Sequence, residues 1–191
     1  MDIALKKPKL RSDVSLEECI YKRESVRKFR SKEIELEKVS QLLWSAQAIK
    51  GTNRTVPSAG ATYPLEFYVI IKNKGVYYYD FKERVLEQKR DEDISQELAS
   101  DAFGQQFIAQ APFVIIICAD YARTCNRYGN RGRKYVHMEV GHCAQNIHLE
   151  AESLGLASVP IGAFQDREVK KTLDLPNNLD PLYIVPIGYP K

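Results

Sequence analysis

Arg23, Ser25 and Arg27 alternate within the segment Lys22 to Phe29. In an extended segment, alternate side chains point to the same side. Two guanidiniums and a hydroxyl would then converge, an arrangement suited to a phosphate and a carbonyl-bearing ring. A second stretch, Pro57-Ser58-Ala59-Gly60-Ala61-Thr62-Tyr63-Pro64, is a loop bounded by prolines. Its small residues allow the backbone to approach a flat ligand closely. A third, Val159-Pro160-Ile161-Gly162-Ala163-Phe164, offers free amides after a strand and would also lie against a ring. Taken singly, these are equally a charged helix end, a turn and a strand exit. Taken together they are more specific.

Other chemistries lack their spacing. Cys118, Cys125, His137, His142, Cys143 and His148 form no CxxC pair. His137 and His142 are five positions apart, not the four of a helical HExxH zinc site. A histidine on a mostly buried helix is more often a hydrogen-bonded core or interface residue, so no metal is expected. There is no GxSxG, and Ser58 stands in PSAG. Cys118 and Cys143 read as small core hydrophobes. Cys125 lies among Arg123 and Arg127, which would lower its pKa, but no histidine accompanies it. Neither GxGxxG nor GxxxxGK[ST] occurs. Arg123, Arg127, Arg131, Arg133 and Lys134 crowd one segment with Tyr121, Tyr128 and Tyr135 interleaved. That mixture serves an RNA surface, a solvated loop or dimer rim, or a pocket rim. RNA ranks lowest, because the net charge of the 191 residues is only +3.

The elements that must position these residues follow from hydrophobic period and punctuation. At 44% hydrophobic and 28% charged residues, the composition is that of a globular chain. No apolar run approaches the roughly 18–20 residues of a membrane helix. The first eleven residues lack the apolar core of a secretory signal, and four unpaired cysteines fit a reducing, cytoplasmic setting. Residues 1–14 read as a basic arm and 15–191 as one domain. Ser15-Leu16-Glu17-Glu18 is a capping box opening a short helix. A second helix spans Glu35 to Ala48, with Gly51 as its stop. Leu65 to Lys72 and Val76 to Phe81 form a hairpin across Asn73-Lys74-Gly75. Asp91 to Phe103 is helical. Ala111 to Ala119 is a strand buried on both faces, and Tyr121 to Arg133 is a basic loop. Val136, Val140, Cys143, Ala144, Ile147, Ala151 and Leu154 form the stripe of a long helix ended by Gly155. Ser158 to Ile161 is a strand, Arg167 to Leu173 a helix, and Leu182 to Ile187 the last strand. The class is α+β.

In this order the blocks KRESVRKF (Lys22 to Phe29), LLWSAQ (Leu42 to Gln47), PSAGATYPLEFYV (Pro57 to Val69), RYGNRGRKYVHMEVGHCAQNIHLEAESLGL (Arg127 to Leu156), VPIGAF (Val159 to Phe164) and PLYIVPIGYP resemble the nitroreductase family of flavin enzymes, the SagB/ThcOx-type branch in particular. The resemblance runs from about Leu16 to Tyr189. It implies a central, mainly antiparallel sheet flanked by helices, and a homodimer with FMN at the subunit interface. The long helix would be the central dimer helix, with His142 and Gln145 satisfied in that interface.

The resemblance also assigns roles. Arg23 and Arg27 would serve the FMN phosphate and the flavin N1–O2 edge, in either order, with Ser25 as a donor between them. Pro57, Ser58, Ala59, Gly60 and Ala61 would line the pyrimidine side. Many relatives carry Asn where this chain has Ala61, so backbone or Tyr63 would take that contact. Pro160, Ile161, Gly162 and Ala163 would pack on one ring face, an amide of Gly162 or Ala163 facing N5. Lys191 would partly replace the basic residues many members carry beyond GYP. The implied activity is a ping-pong NAD(P)H oxidoreductase acting on a nitroaromatic, a quinone or a similar small acceptor. Tyr63 and Tyr128 are its substrate-contact candidates. The alternatives are azoline dehydrogenation in peptide maturation and a non-catalytic flavin-binding protein. Azoline oxidases of this branch carry Lys-Tyr where this chain has Arg127-Tyr128, and arginine is a poor base at neutral pH.

Overall fold

The computed structural model describes residues Met1–Lys191. In chain order its elements are β1 (Ile3–Ala4), α1 (Leu16–Lys22), α2 (Leu36–Gln47), β2 (Ile49–Lys50), β3 (Asn53–Arg54), β4 (Leu65–Ile71), β5 (Gly75–Asp80), β6 (Val85–Arg90), α3 (Ser95–Asp101), α4 (Phe107–Gln110), β7 (Phe113–Ala119), α5 (Tyr121–Tyr128), α6 (Arg131–Ser153), β8 (Ala157–Ser158), α7 (Asp166–Thr172) and β9 (Asp180–Gly188). Seven strands form one sheet in the order β1-β6-β5-β4-β7-β9-β8, antiparallel at every step. This is the α+β architecture with an antiparallel sheet that the sequence implies.

Every residue of β7 is buried, as its uninterrupted apolar run demands. Its side chains alternate between two cores. Phe113, Ile115, Ile117 and Ala119 meet Leu42, Leu43 and Ala46 of α2 and the Val136-to-Ala151 stripe of α6. Val114, Ile116 and Cys118 meet Leu98 of α3, Ile108 of α4 and Val169 of α7. Burial pushes the Cys118 and Cys143 thiols well up, which keeps them as inert core residues. All four cysteines are free, and no helix is long and apolar enough to cross a membrane.

The capping box is present: Ser15 Oγ accepts from the Glu18 amide at 3.1 Å. Other expectations are corrected. Gly51 does not stop α2 directly. It turns the small β2–β3 hairpin at φ +61°, and α2 has already ended at Gln47. The segment Tyr121 to Arg133 is not a loop but α5, a turn, and the start of α6. Asp120 Oδ1 accepts from the Ala122 amide at 3.0 Å and starts α5. Gly129, at φ +58°, ends it. Only Thr124 of α5 is buried, so the helix lacks the apolar stripe by which helices are read. Nor is α6 apolar around its whole girth. Met138, Gly141, His142 and Gln145 face outward, exposed. Residues 1–14 lie along the domain: β1 pairs with β6, and the Lys6 and Lys9 amides donate to Ser40 Oγ and Gln41 Oε1.

Two contacts place α5. Its Arg123 is 2.5 Å from the buried carboxylate of Glu66 on β4, which also accepts from Tyr78 Oη at 2.7 Å. Behind it, Gly132 of α6 lies so close to Cys125 that an added Cβ would stand 2.8 Å from the Cys125 Cα. Alanine in place of a helical glycine gains about 1 kcal/mol of propensity. Here it meets backbone, and overpacking costs about 1–3 kcal/mol. Gly132→Ala is therefore expected to destabilise the protein by up to about 2 kcal/mol in a denaturant melt, against the propensity trend.

Candidate functional site

After α1 the chain runs beside β8. Ser25 bridges Ser158 in parallel register, and the Val26 amide donates to the Ser158 carbonyl at 3.2 Å. The segment Pro160 to Ala163 leaves β8 directly, pinned where Ile161 bridges Ile184. The segment carrying Arg23, Ser25 and Arg27 thereby runs along the strand that leads into Pro160, Ile161, Gly162 and Ala163, although the two segments are far apart in sequence. Ser25, Arg27, Gly162 and Ala163 are exposed and Arg23 half-buried. Neither Arg23 nor Arg27 belongs to any of the ion pairs of the chain. Arg27 lies over the Phe107 ring, 5.8 Å from its centroid. The amides of Gly162 and Ala163 have no acceptor within the chain. The Lys191 amide donates to the Lys28 carbonyl, which sets the chain's end beside this segment.

One histidine ties the cluster to α6. Arg23 Nη1 is 3.1 Å from His148 Nε2, and His148 Nδ1 is 2.6 Å from Ser158 Oγ. Burial first, and then the Arg23 charge, pull the His148 pKa from 6.5 down to about 4.

The loop Pro57 to Tyr63 is built differently. Ala59–Ala61 forms a single 3₁₀ turn. Gly60, Ala61 and Tyr63 all have φ between +45° and +59°. For alanine and tyrosine that conformation is strained, by roughly 1–3 kcal/mol each. Ser58 Oγ accepts from the Tyr63 amide at 2.9 Å. From α5, Arg127 Nη1 donates to the Gly60 carbonyl at 2.9 Å and Arg123 Nη1 to the Tyr63 carbonyl at 3.1 Å. A Cβ on Gly60 would stand 2.5 Å from Tyr128 Oη. Tyr63 and Tyr128 thus border the same loop.

Beneath this loop lies a buried polar group. Glu139 of α6 faces Ser58, Gln47 and the charge of Arg54. Both amide atoms of the fully buried Gln47, Glu139 Oε1 and Arg54 Nη1 lack hydrogen-bond partners. Arg54 stacks 4.4 Å from the Tyr63 centroid and 4.0 Å from that of Phe81. Burial outweighs the polar neighbours Ser58 and Gln47 and the Arg54 charge and lifts the Glu139 pKa from 4.5 to about 7.

The two groups of candidate residues do not meet in one chain. Glu139 and His148 are nine positions apart on α6, which is roughly 13 Å along the axis and about half a turn around it. They flank the core stripe on opposite sides, one under the loop and the other under Arg23.

His148, Ser158, Glu139, Gln47 and Arg54 are additions to the residues singled out from sequence. His148 was classed there only as a hydrogen-bonded core or interface histidine, which it is. The signal for Gln47 and Glu139 was weaker, polar residues bordering the apolar stripes of α2 and α6, and Arg54 in β3 had none. No group of three or more His, Cys, Asp or Glu side chains gathers to hold a metal ion.

Comparison with known proteins places the chain in a family. The profile described as "Nitroreductase family" matches residues 20–189. A protein of Methanocaldococcus jannaschii, provisionally named a nitroreductase, is 44% identical over 183 residues, covering 92% of this chain and 91% of its own. An FMN reductase [NAD(P)H] of Bacillus subtilis is 29% identical over 117 residues, 53% of this chain and 46% of its own. The crystal structure of a provisionally named nitroreductase from Ralstonia eutropha superposes with a TM-score of 0.89 at 26% identity, covering 100% of this chain and 90% of that one.

The raised Glu139 pKa makes stability depend on pH. The carboxyl stays neutral up to about 7 in the folded chain, against 4.5 when exposed. Its contribution is full below the unfolded value and lost as pH rises through the folded one. Glu139→Gln is expected to lie close to the native chain in thermal midpoint near pH 5 and to exceed it by about 5–10 °C near pH 8.

Proposed function

The chain belongs to the nitroreductase family, and on that premise we propose that it is an FMN-dependent NAD(P)H oxidoreductase of the cytoplasm that reduces a small acceptor such as a nitroaromatic or a quinone. One observation carries the reading: two unneutralised guanidiniums, Arg23 and Arg27, lie on the segment bridged in parallel to Ser158 of β8, the strand that leads on to the unpaired amides of Gly162 and Ala163. Those donors match FMN, with its doubly anionic phosphate and acceptor-rich ring edge. Arg23, Ser25 and Arg27 would hold the phosphate and the ring edge, and Pro160, Ile161, Gly162 and Ala163 a ring face. Pro57, Ser58, Ala59, Gly60 and Ala61 would line the pyrimidine side through their backbone. Bound FMN supplies hydride acceptance from NAD(P)H and electron delivery to the acceptor.

The protein's own part is binding and electrostatics. A guanidinium at the ring edge stabilises negative charge there, and an amide at Gly162 or Ala163 donates toward the ring. Tyr63 and Tyr128 would contact the acceptor, and no side chain is required as a general base. Arg127 is engaged with the Gly60 carbonyl, and an arginine is a poor base where azoline oxidation would call for a lysine, which weighs against that reaction.

The Pro57–Tyr63 loop and the Arg23 cluster flank opposite sides of α6, so a single chain offers a ligand only one of them. A homodimer would set the loop of one copy against the arginines of the other. The outward face of α6 and the exposed Leu16, Ile20 and Tyr21 of α1 supply surface for that contact.

The purified protein, incubated with FMN and cleared of excess, is expected to be yellow and to lose its visible flavin absorbance on adding NADPH under argon. A colourless protein would overturn the cofactor reading, and a yellow one that NADPH does not bleach would favour flavin binding without turnover. Gly162 gives a sharper check. A Cβ there meets only the Tyr183 ring, at 3.4 Å, so the fold has room for it. Gly162→Val should melt within about 2 °C of the parent and lose FMN affinity at least about tenfold. Full flavin loading of that variant would show that the segment does not face the ring.

A further inference from the structure

His148 joins three elements through both of its ring nitrogens. An arginine only donates, so Nε2, 3.1 Å from Arg23 Nη1, must accept. The proton of the neutral ring is then on Nδ1, which donates to Ser158 Oγ at 2.6 Å. The ring is 3% exposed, so neither bond competes with bulk water. No carboxylate pairs with Arg23 to fix it in any other way. The backbone carbonyl of Ser158 meanwhile accepts from Val26. One short bridge therefore couples the guanidinium, the strand that leads into Val159–Ala163, and α6.

We propose that His148 is a positioning residue, which through its neutral Nδ1–H form holds the Arg23 guanidinium in register with β8 and ready for an anionic group of the bound ligand. The inference rests on the flavin reading above for the identity of that ligand, but the hold itself does not depend on it. An arginine loses considerable side-chain entropy on binding an anion. Fixing it beforehand removes part of that cost from the binding step. A lysine or a carboxylate in place of the imidazole would not do the same. The first would repel Arg23, and the second would neutralise the charge the ligand needs.

The groups around the imidazole are Arg23 from the end of α1, Ser158 from β8 and, further along α6, Glu152, which feels Glu24, Lys22 and Arg23. Protonating Nε2 would set two cations together and release Arg23. The folded pKa lies below the free value, so the hold is complete at neutral pH and fails as pH falls toward about 4.

Three substitutions separate positioning from packing. Gln at 148 can set an amide oxygen near the Nε2 site and accept from Arg23. Asn reaches only the Nδ1 site and keeps Ser158 alone, and Leu keeps neither. The first readout is FMN affinity at neutral pH, with the thermal midpoint recorded beside it. His148→Leu and His148→Asn are expected to bind FMN about tenfold more weakly, and His148→Gln within about threefold of the parent. Equal affinity in all three, or rescue by Asn as good as by Gln, would overturn the proposal.

The second readout needs no flavin and stands even if a variant fails to fold. The chain has three histidines, and long-range ¹H–¹⁵N NMR of the native protein resolves the tautomer of each. A neutral Nδ1–H form for His148, with no titration near 6.5, is expected. An Nε2–H form, or ordinary titration, would refute the hold on Arg23. Failure of the native protein to bind FMN, with the Nδ1–H form intact, would refute the flavin reading and leave the bridge standing.

Discussion

The structure depends on one strand. β7 has no residue in contact with solvent, so both faces of the sheet must be covered at its centre. Antiparallel neighbours on each side, β4 and β9, complete its hydrogen bonds. The period of two then divides its side chains between two cores, and each core needs its own helices. α2 and α6 close one side, and α3, α4 and α7 the other. The candidate residues lie on what leaves this double-sided core: the loop before β4, α5 after β7, and the exit of β8 alongside β9.

α6 carries that constraint outward. Its apolar stripe is committed to β7 and α2, so the flanks of the stripe are where polar groups can reach other elements. Glu139 uses one flank to support the strained Pro57–Tyr63 loop, and His148 uses the other to hold Arg23. Both are taken out of water, and desolvation moves their pKa values in opposite directions. A buried carboxyl resists losing its proton and a buried imidazole resists gaining one. At neutral pH the histidine is a neutral acceptor, whereas the carboxyl is poised between its two states. The half turn between them explains why one chain presents the two sets of candidate residues on separate sides.

Several elements were legible because a local signal was sufficient. Ser15 with Glu18, the apolar spacing of Leu36 to Ala46 and the run Ala111 to Ala119 each correspond to an element of the structure within a residue or two. α5 was not legible from period, because almost none of it is buried and its polar, arginine-rich face mimics a loop. Its true signals were the Asp120 cap and the Gly129 stop. β1, β6 and α4 were missed for a related reason. β1 is a two-residue edge strand whose partner β6 is distant in sequence, β6 carries a mostly polar VLEQKR run, and α4 is only four residues long.

Chemical types and order were decided in the sequence itself: alternating Arg23, Ser25 and Arg27, a small-residue loop, and a strand exit with unhindered amides. These are properties of residue identity and spacing, and they are local. Tertiary structure alone decided which of them meet. Ser25 lies against Ser158 because β8 pairs with β9, and Arg23 meets His148 because α1 docks on α6. The loop sits half a turn away because Glu139, not a residue on the other flank, supports it. Such contacts join positions up to 133 residues apart, the separation of Ser25 and Ser158. Only closing the sheet on its two cores brings those positions within a hydrogen bond of each other.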